Sequence, residues 1–297
     1  INGILLNNTG ASGGLTVTGN SAGLCGGQIV PSGTPGVPPA VTAGVVADCT
    51  GGTIQNTTAD AISLTRTRNI SLTRMLIQNV GGIGAQGIDA DNLAGSNFFR
   101  NGHMTNVGSA GSGNGNGITI ENTDTNMTLF SVENSYLANS TSGTSHVLNN
   151  PQPPGPVTTR LDVINSIFEG HEAIAVQSNT NNNGTTTTNI TGSVFRNAGA
   201  NGQGGTIVAT ATGSASAANF VVSGNTYYGL NNGVASGANA GTLAFQTVGG
   251  PLNGTIANNI VGIAGAGNDN GDRRGIEVVA EPDVSVNGNT GSIDVII

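Results

Sequence analysis

The 297-residue chain holds 16 carboxylates, 8 basic residues that are all arginine, 3 histidines and 2 cysteines, and the spacing of each group limits the chemistry open to it. Asp89, Asp91 and Glu121 fall on two neighbouring apolar-x-apolar phrases, Ile88-Asp89-Ala90 and Ile118-Thr119-Ile120. Two carboxylates held at a fixed separation are the equipment of glycosidic-bond hydrolysis, one acting as acid and the other as base or nucleophile. Alternation turns all three outward here, where a solvated carboxylate is ordinary, and no spacing forces a pair to share one site. No catalytic residue is therefore assigned, and a non-enzymatic protein is the expectation. His103, His146 and His171 lie at different phases of the repeat described below and form no metal triad. Asp269 and Asp272, in the Gly/Asn-rich stretch 265–272, offer oxygen ligands around which the chain could bend on a calcium ion. The stretch lacks the spacing of an EF-hand loop, so an Asx/Gly turn is the plainer reading and no cofactor is expected.

Cys25 and Cys49 are 24 residues apart, about one repeat, and the stretch between them carries Pro31, Pro35, Pro38 and Pro39. Stacked repeats bring such a pair together, so a disulfide is expected. Closing this loop would contribute about 3 kcal/mol in the loop-entropy description, and it implies an oxidising compartment. With no His or further Cys near them, the two thiols make a poor zinc site.

The elements that must position these groups are strands and turns. Gly is 49 of 297 residues, and Gly, Asn, Thr and Ser interrupt every stretch that could become a helix. Asn-Gly pairs such as Asn101-Gly102 and Asn183-Gly184 supply turn chemistry. One phrase, a short polar residue, two apolar residues and often Asn, recurs as Met75-Leu76-Ile77-Gln78-Asn79, Asn97-Phe98-Phe99-Arg100-Asn101, Ser135-Tyr136-Leu137-Ala138-Asn139, Ser166-Ile167-Phe168, Ser193-Val194-Phe195-Arg196-Asn197, Thr226-Tyr227-Tyr228 and Asn259-Ile260-Val261. A second, alternating phrase precedes each copy, as in Ile62-Ser63-Leu64 and Ile174-Ala175-Val176. A period with a minimum near 22 residues and two or three short strands is one coil of a parallel β-solenoid. About nine or ten coils stacked at roughly 4.8 Å give a rod on the order of 45 Å long. The shared phase of Ile77, Phe99, Leu137, Phe168, Phe195, Tyr228 and Val261 predicts an apolar and aromatic column. Asn134, Asn165, Asn225 and Asn258 precede the phrase and predict a coil-to-coil amide ladder.

These phrases, with Asn-Ser-x-Phe at Asn165-Ser166-Ile167-Phe168, resemble the right-handed parallel β-helix repeat of the pectin-lyase-like superfamily. The resemblance is greatest to bacterial secreted, surface and autotransporter-passenger members, and it covers roughly residues 53–290. It implies an all-β, right-handed parallel β-helix with essentially no α-helix. Hydrolases of that family carry Asn-Thr-Asp, Asp-Asp, Gly-His-Gly and Arg-Ile-Lys. Here Asn122-Thr123-Asp124 stands alone, Asp-Asp is absent, Gly170-His171-Glu172 half matches, and there is no Lys. The resemblance thus implies the architecture without the family's catalytic set.

Two regions follow: residues 1–52, N-terminal coils with the disulfide-closed Pro/Gly-rich loop, and residues 53–297, one continuous run of repeats. Excursions are expected at 26–48, 102–116, 149–160, 178–188 and 264–274. Their neutral amides and hydroxyls suit glycan contact as well as plain solvated turns. A net charge of −8 makes nucleic acid and anionic membrane poor partners, and no apolar run approaches the ~18 residues of a membrane span. The chain opens on Ile1-Asn2-Gly3-Ile4-Leu5-Leu6, without an initiator Met or signal peptide, and closes on Ile293-Asp294-Val295-Ile296-Ile297. Apolar strands at both ends without a capping helix predict an excised piece whose ends pack on continuing sequence or a neighbour. The expectation is an extracellular, cell-surface structural or adhesive subunit that self-associates end to end or laterally. The alternative is a carbohydrate-active enzyme or glycan-binding β-helix.

Overall fold

The computed structural model describes residues 2–9, 13–20, 22–34, 36–108, 115–140, 145–171, 173–197, 204–211, 215–230, 241–262, 274–280, 282–283, 289–290 and 293–296. Three parallel sheets run the length of the molecule, two of nine strands and one of eight. Successive coils contribute one strand to each, as Ile88–Asp91 to the first sheet, Gly95–Arg100 to the second and His103–Val107 to the third. This is a right-handed parallel β-solenoid. Its helical content among the described residues is a single 3₁₀ turn, Val46–Asp48. Ile4–Asn7 and Thr16–Val17 pair with Ile62–Thr65 and Ser71–Thr73, so the first residues already belong to the sheets that continue through the chain.

Alternation fills the core as the period-2 geometry of strands demands. Ile62, Ile88, Ile118 and Val147 are in register down the first sheet, each fully buried. On the third sheet Ile77, Met104, Leu137, Phe168, Phe195 and Tyr227 form the inward column. Its rings stack, Phe168 on Phe195 at 4.9 Å and 7° and Phe195 on Tyr227 at 4.6 Å and 5°. Val261 continues this column opposite Tyr227, but at the end of the stack it is 37% exposed.

Two residues of the expected column stand elsewhere. Tyr228 is in register with Arg196 on the outer side of the third sheet, and Tyr227 takes the inward place. Phe99 is fully buried, but on the second sheet between Leu72 and Val132. At Tyr227-Tyr228 the aromatic doublet hid the phase, whereas Phe99 points inward as expected but from another sheet. The phrase around Asn97 also belongs to a different sheet, because Met104 and not Phe99 is the register partner of Ile77.

The corners are made by residues in the left-handed region. Asn134, Asn165 and Asn258 have φ of 46°, 47° and 55°, and Gly192 and Gly224 take the equivalent corners at 62° and 67°. Asn is the side chain that reaches this conformation most cheaply after Gly, so backbone shape selects it here. The buried ladder lies one residue further on. Gly102 N donates to Ser135 Oγ (3.1 Å), Ser135 N to Ser166 Oγ (3.2 Å), Ser166 N to Ser193 Oγ (3.1 Å), Ser193 N to Asn225 Oδ1 (2.9 Å) and Asn225 N to Asn259 Oδ1 (3.0 Å). Of the four expected ladder residues Asn225 is a member, whereas Asn134, Asn165 and Asn258 are corner residues with outward amides. Residues 178–188, expected as an excursion, are mostly strand, within Ile174–Asn181 and Gly184–Thr191. His103–Val107 and Val157–Ile164 likewise take up parts of the expected excursions at 102–116 and 149–160.

Candidate functional site: a cleft beneath an N-terminal strap

Between Thr16–Val17 and Gly52–Gln55 the chain leaves the solenoid at the corner joining the second and third sheets. It forms a strap whose hairpin pairs Gln28–Val30 antiparallel with Ala40–Thr42. The Cys25–Cys49 disulfide, with Cα atoms 4.8 Å apart, closes its base as the spacing predicted. Leu24 N donates to Asp48 Oδ2 at 2.7 Å, Val45 N to Leu24 O at 2.8 Å, and Arg74 Nη1 reaches Gly23 O at 3.0 Å. The strap therefore has a tied base and a free hairpin.

The strap turns the outer face of the third sheet into a second small core. Leu76, Ile167 and Val194 point away from the solenoid interior, yet each is at most 3% exposed. His103 occupies the same outer column, with its ring 5.0 Å from that of Tyr136. The strap backbone passes directly over these side chains: a β-carbon on Gly27 would lie 2.8 Å from Ile167 Cδ1, and one on Gly44 would lie 2.7 Å from His103 Nδ1. A strand covered on both faces needs consecutive apolar residues. The doublets Leu76-Ile77, Ile167-Phe168 and Val194-Phe195 were that signal, although the repeat pattern assigned a place only to the second residue of each.

Beyond the covered column, strap and corners diverge around a cleft of about 840 Å³. Its floor is the row of corners Asn101, Asn134, Asn165, Gly192, Gly224 and Asn258, and its wall includes Gln28, Ile29, Pro31 and Val37. Among the described residues no ionisable side chain lines it. Ser32 Oγ donates within the hairpin tip, to Val37 O at 2.8 Å, and no base stands by to activate it. Such a lining can bind a neutral polar ligand, but it holds no acid, base or activated nucleophile.

The carboxylates singled out from the sequence are elsewhere, on the outward face of the first sheet. Asp91 stands in register with Glu121, and Asp89 with Thr119. Burial first, and then the charges of Asp91, Asp60 and Glu121, push the Asp89 carboxyl up to about 7. Asp91 is also raised, by burial and by Asp60. Asp60 Oδ1 accepts from Gln86 N at 2.9 Å, and Gln86 Nε2 donates to Asp89 Oδ1 at 3.2 Å. Asp124 is drawn away into an ion pair with Arg66. Among the described residues no group of three His, Cys, Asp or Glu side chains is placed to hold a metal. Asp269 and Asp272, the candidate calcium ligands, lie outside the described residues. His103 sits under the strap, apart from the other histidines. His146 and His171 meet at 6.0 Å beside Phe168, and burial holds the His146 imidazole down to about 4.

On the outer third sheet Glu169 gathers Tyr136 Oη (2.9 Å), Arg196 Nη2 (2.8 Å) and Asn197 Nδ2 (3.0 Å). Burial would raise Glu169, but these three donors outweigh it and hold the carboxyl below its usual range. Tyr136 is pushed up to about 12 by burial and by Glu169. This network clamps neighbouring coils. No protein-family model, curated protein or solved structure matches the chain, so the pectin-lyase-like resemblance stands on the coil pattern alone.

Proposed function

We propose that the protein is a non-catalytic structural module of an extracellular or cell-surface assembly, a disulfide-bearing solenoid that acts as a rigid rod and associates with further copies of itself. The observation that carries this reading is where the ionisable groups go. Arg66, Arg100, Arg160 and Arg196 pair with Asp124, Glu133, Asp162 and Glu169, and among the described residues the cleft has no ionisable lining. The disulfide supports an oxidising compartment, and no described helix is long and apolar enough to cross a membrane. Self-association is supported by the sheet order. Each of the three long sheets adds strands in parallel, coil upon coil, and a strand edge is a template for further pairing of the same kind.

One observation favours a carbohydrate-active reading, the half-buried acidic group around Asp89 with its carboxyl raised to about 7. Its charged neighbours among the described residues are all acids, on an outward sheet face that supplies neither a cleft nor a basic partner. One experiment separates the two readings: electron microscopy and mass photometry across a concentration series, with neutral and acidic polysaccharides assayed for new reducing ends and unsaturated products. Filaments or end-to-end stacks without turnover support the structural module. Turnover abolished by Asp89→Asn would replace it with the enzyme.

A further inference from the structure

We infer that the cleft between the strap and the corner row is a binding site for a linear, neutral oligosaccharide. The side-chain amides of Asn134, Asn165 and Asn258 line the cleft, are exposed, and make no hydrogen bond among the described residues. Several corner asparagines elsewhere spend theirs internally: Asn106 Nδ2 donates to Asn79 Oδ1 at 3.1 Å, Asn92 Oδ1 accepts Thr123 N at 2.8 Å, and Asn197 Nδ2 donates to Glu169. Each free amide offers one acceptor and two donors side by side, the complement of adjacent hydroxyl groups on a sugar ring.

Asn134 and Asn165 stand on successive coils, in the turns after the register pair Glu133 and Ile164, so their amides repeat at about 4.8 Å along the axis. A row at that interval reads a chain-like ligand rather than a compact one. The described lining holds no ionisable group and so selects against charge, because a uronate or phosphate would find no counter-ion among these residues. Ile29, Pro31 and Val37 on the strap give an apolar wall for the C–H faces of the rings, the mixed lining usual for organic ligands. An extended peptide fits the floor poorly. The corner backbone is already committed coil to coil, with Asn134 N on Ile164 O at 2.9 Å and Asn165 N on Thr191 O at 3.0 Å, so strand addition finds no open edge there.

The fold itself supplies the test variant. Gly192 and Gly224 occupy the same corner with positive φ, so Asn134→Gly with Asn165→Gly deletes both amides while keeping a conformation the corner accepts. The folded protein is titrated calorimetrically with cellohexaose, mannohexaose, laminarihexaose and maltohexaose, and with hexagalacturonate and a neutral Ser/Thr/Gly peptide as controls. At least one neutral hexasaccharide is expected to bind, the controls are not, and the double variant should bind about tenfold or more weakly with an unchanged unfolding midpoint. Three outcomes overturn the inference: no neutral sugar binding at millimolar concentration, binding untouched in the double variant, or equal binding of hexagalacturonate or the peptide. Rod assembly and absence of turnover are read separately, so either proposal can fail without the other.

Discussion

The α-carbon of Gly26 lies so close to the main chain of Asn134 that a β-carbon there would fall 1.8 Å from the Asn134 carbonyl oxygen. Strap and corner row meet backbone to backbone at this point, and the cleft opens from it. Gly26→Ala must therefore lift the strap. The expected cost is about 1–3 kcal/mol, the range for overpacking. Protease cutting within the strap should rise, together with dye binding to the uncovered Leu76, Ile167 and Val194, while far-UV circular dichroism stays that of the solenoid. An uncut strap in this variant would show that the contact does not hold it down.

The disulfide acts on the same element from its base. Replacing Cys25 and Cys49 together by Ser removes a 24-residue loop closure, for an expected loss of about 3 kcal/mol. Since the cross-link lies within the excursion, the loss should appear as strap opening before the stacked coils melt. Hydrogen exchange checks this: amides of Gln28–Val30 and Ala40–Thr42 should lose protection while those of Ile118–Glu121 keep it.

The architecture was legible because a parallel solenoid repeats its corner and its core in every coil, so each phrase is sampled many times. What single phrases could not give was phase. Tyr227-Tyr228 offers two rings for one inward place, and only register with Phe195 decides between them; Phe99 is inward as expected, and register with Val132 places it on the second sheet. Corner and ladder residues are adjacent and both admit Asn, so Asn225 and Asn165 looked alike although one is buried and bonded and the other is exposed. The cleft was least visible. It depends on a loop of the first coil reaching over corners near Asn258, a long-range contact with no local period. The apolar doublets of the third sheet were its one local trace.

Stability should depend on pH through Asp89. Its carboxyl is raised in the fold, from 3.8 to about 7, so the folded state favours the protonated form. That contribution is fully present below the unfolded value near 3.8 and is lost as pH rises toward 7. Asp89→Asn, neutral at every pH, should therefore stabilise the protein at pH 8 and leave it nearly unchanged at pH 4. After discounting for solvent screening of a half-exposed group, the gain at pH 8 is about 1 kcal/mol. Thermal unfolding at the two pH values checks the sign, and an equal effect at both would remove charge as the cause.

The buried ladder gives the sharpest test of what joins the coils. Asn225 is fully buried; its Oδ1 accepts Ser193 N, and its Nδ2 donates to Ile190 O at 2.8 Å and to Asn259 Oδ1 at 3.0 Å. Asn225→Leu keeps similar bulk but strands the Ser193 N–H and the Ile190 carbonyl away from water, at roughly 1–3 kcal/mol for each group left unpaired. Asn225→Ser restores the side chain found at the equivalent rungs Ser135, Ser166 and Ser193. Its oxygen can again accept Ser193 N, so most of the loss should return. Chemical denaturation of the two variants decides the matter. Equal destabilisation by Leu and Ser would mean that volume, and not the donated bond from Ser193, sets the stability of the rung.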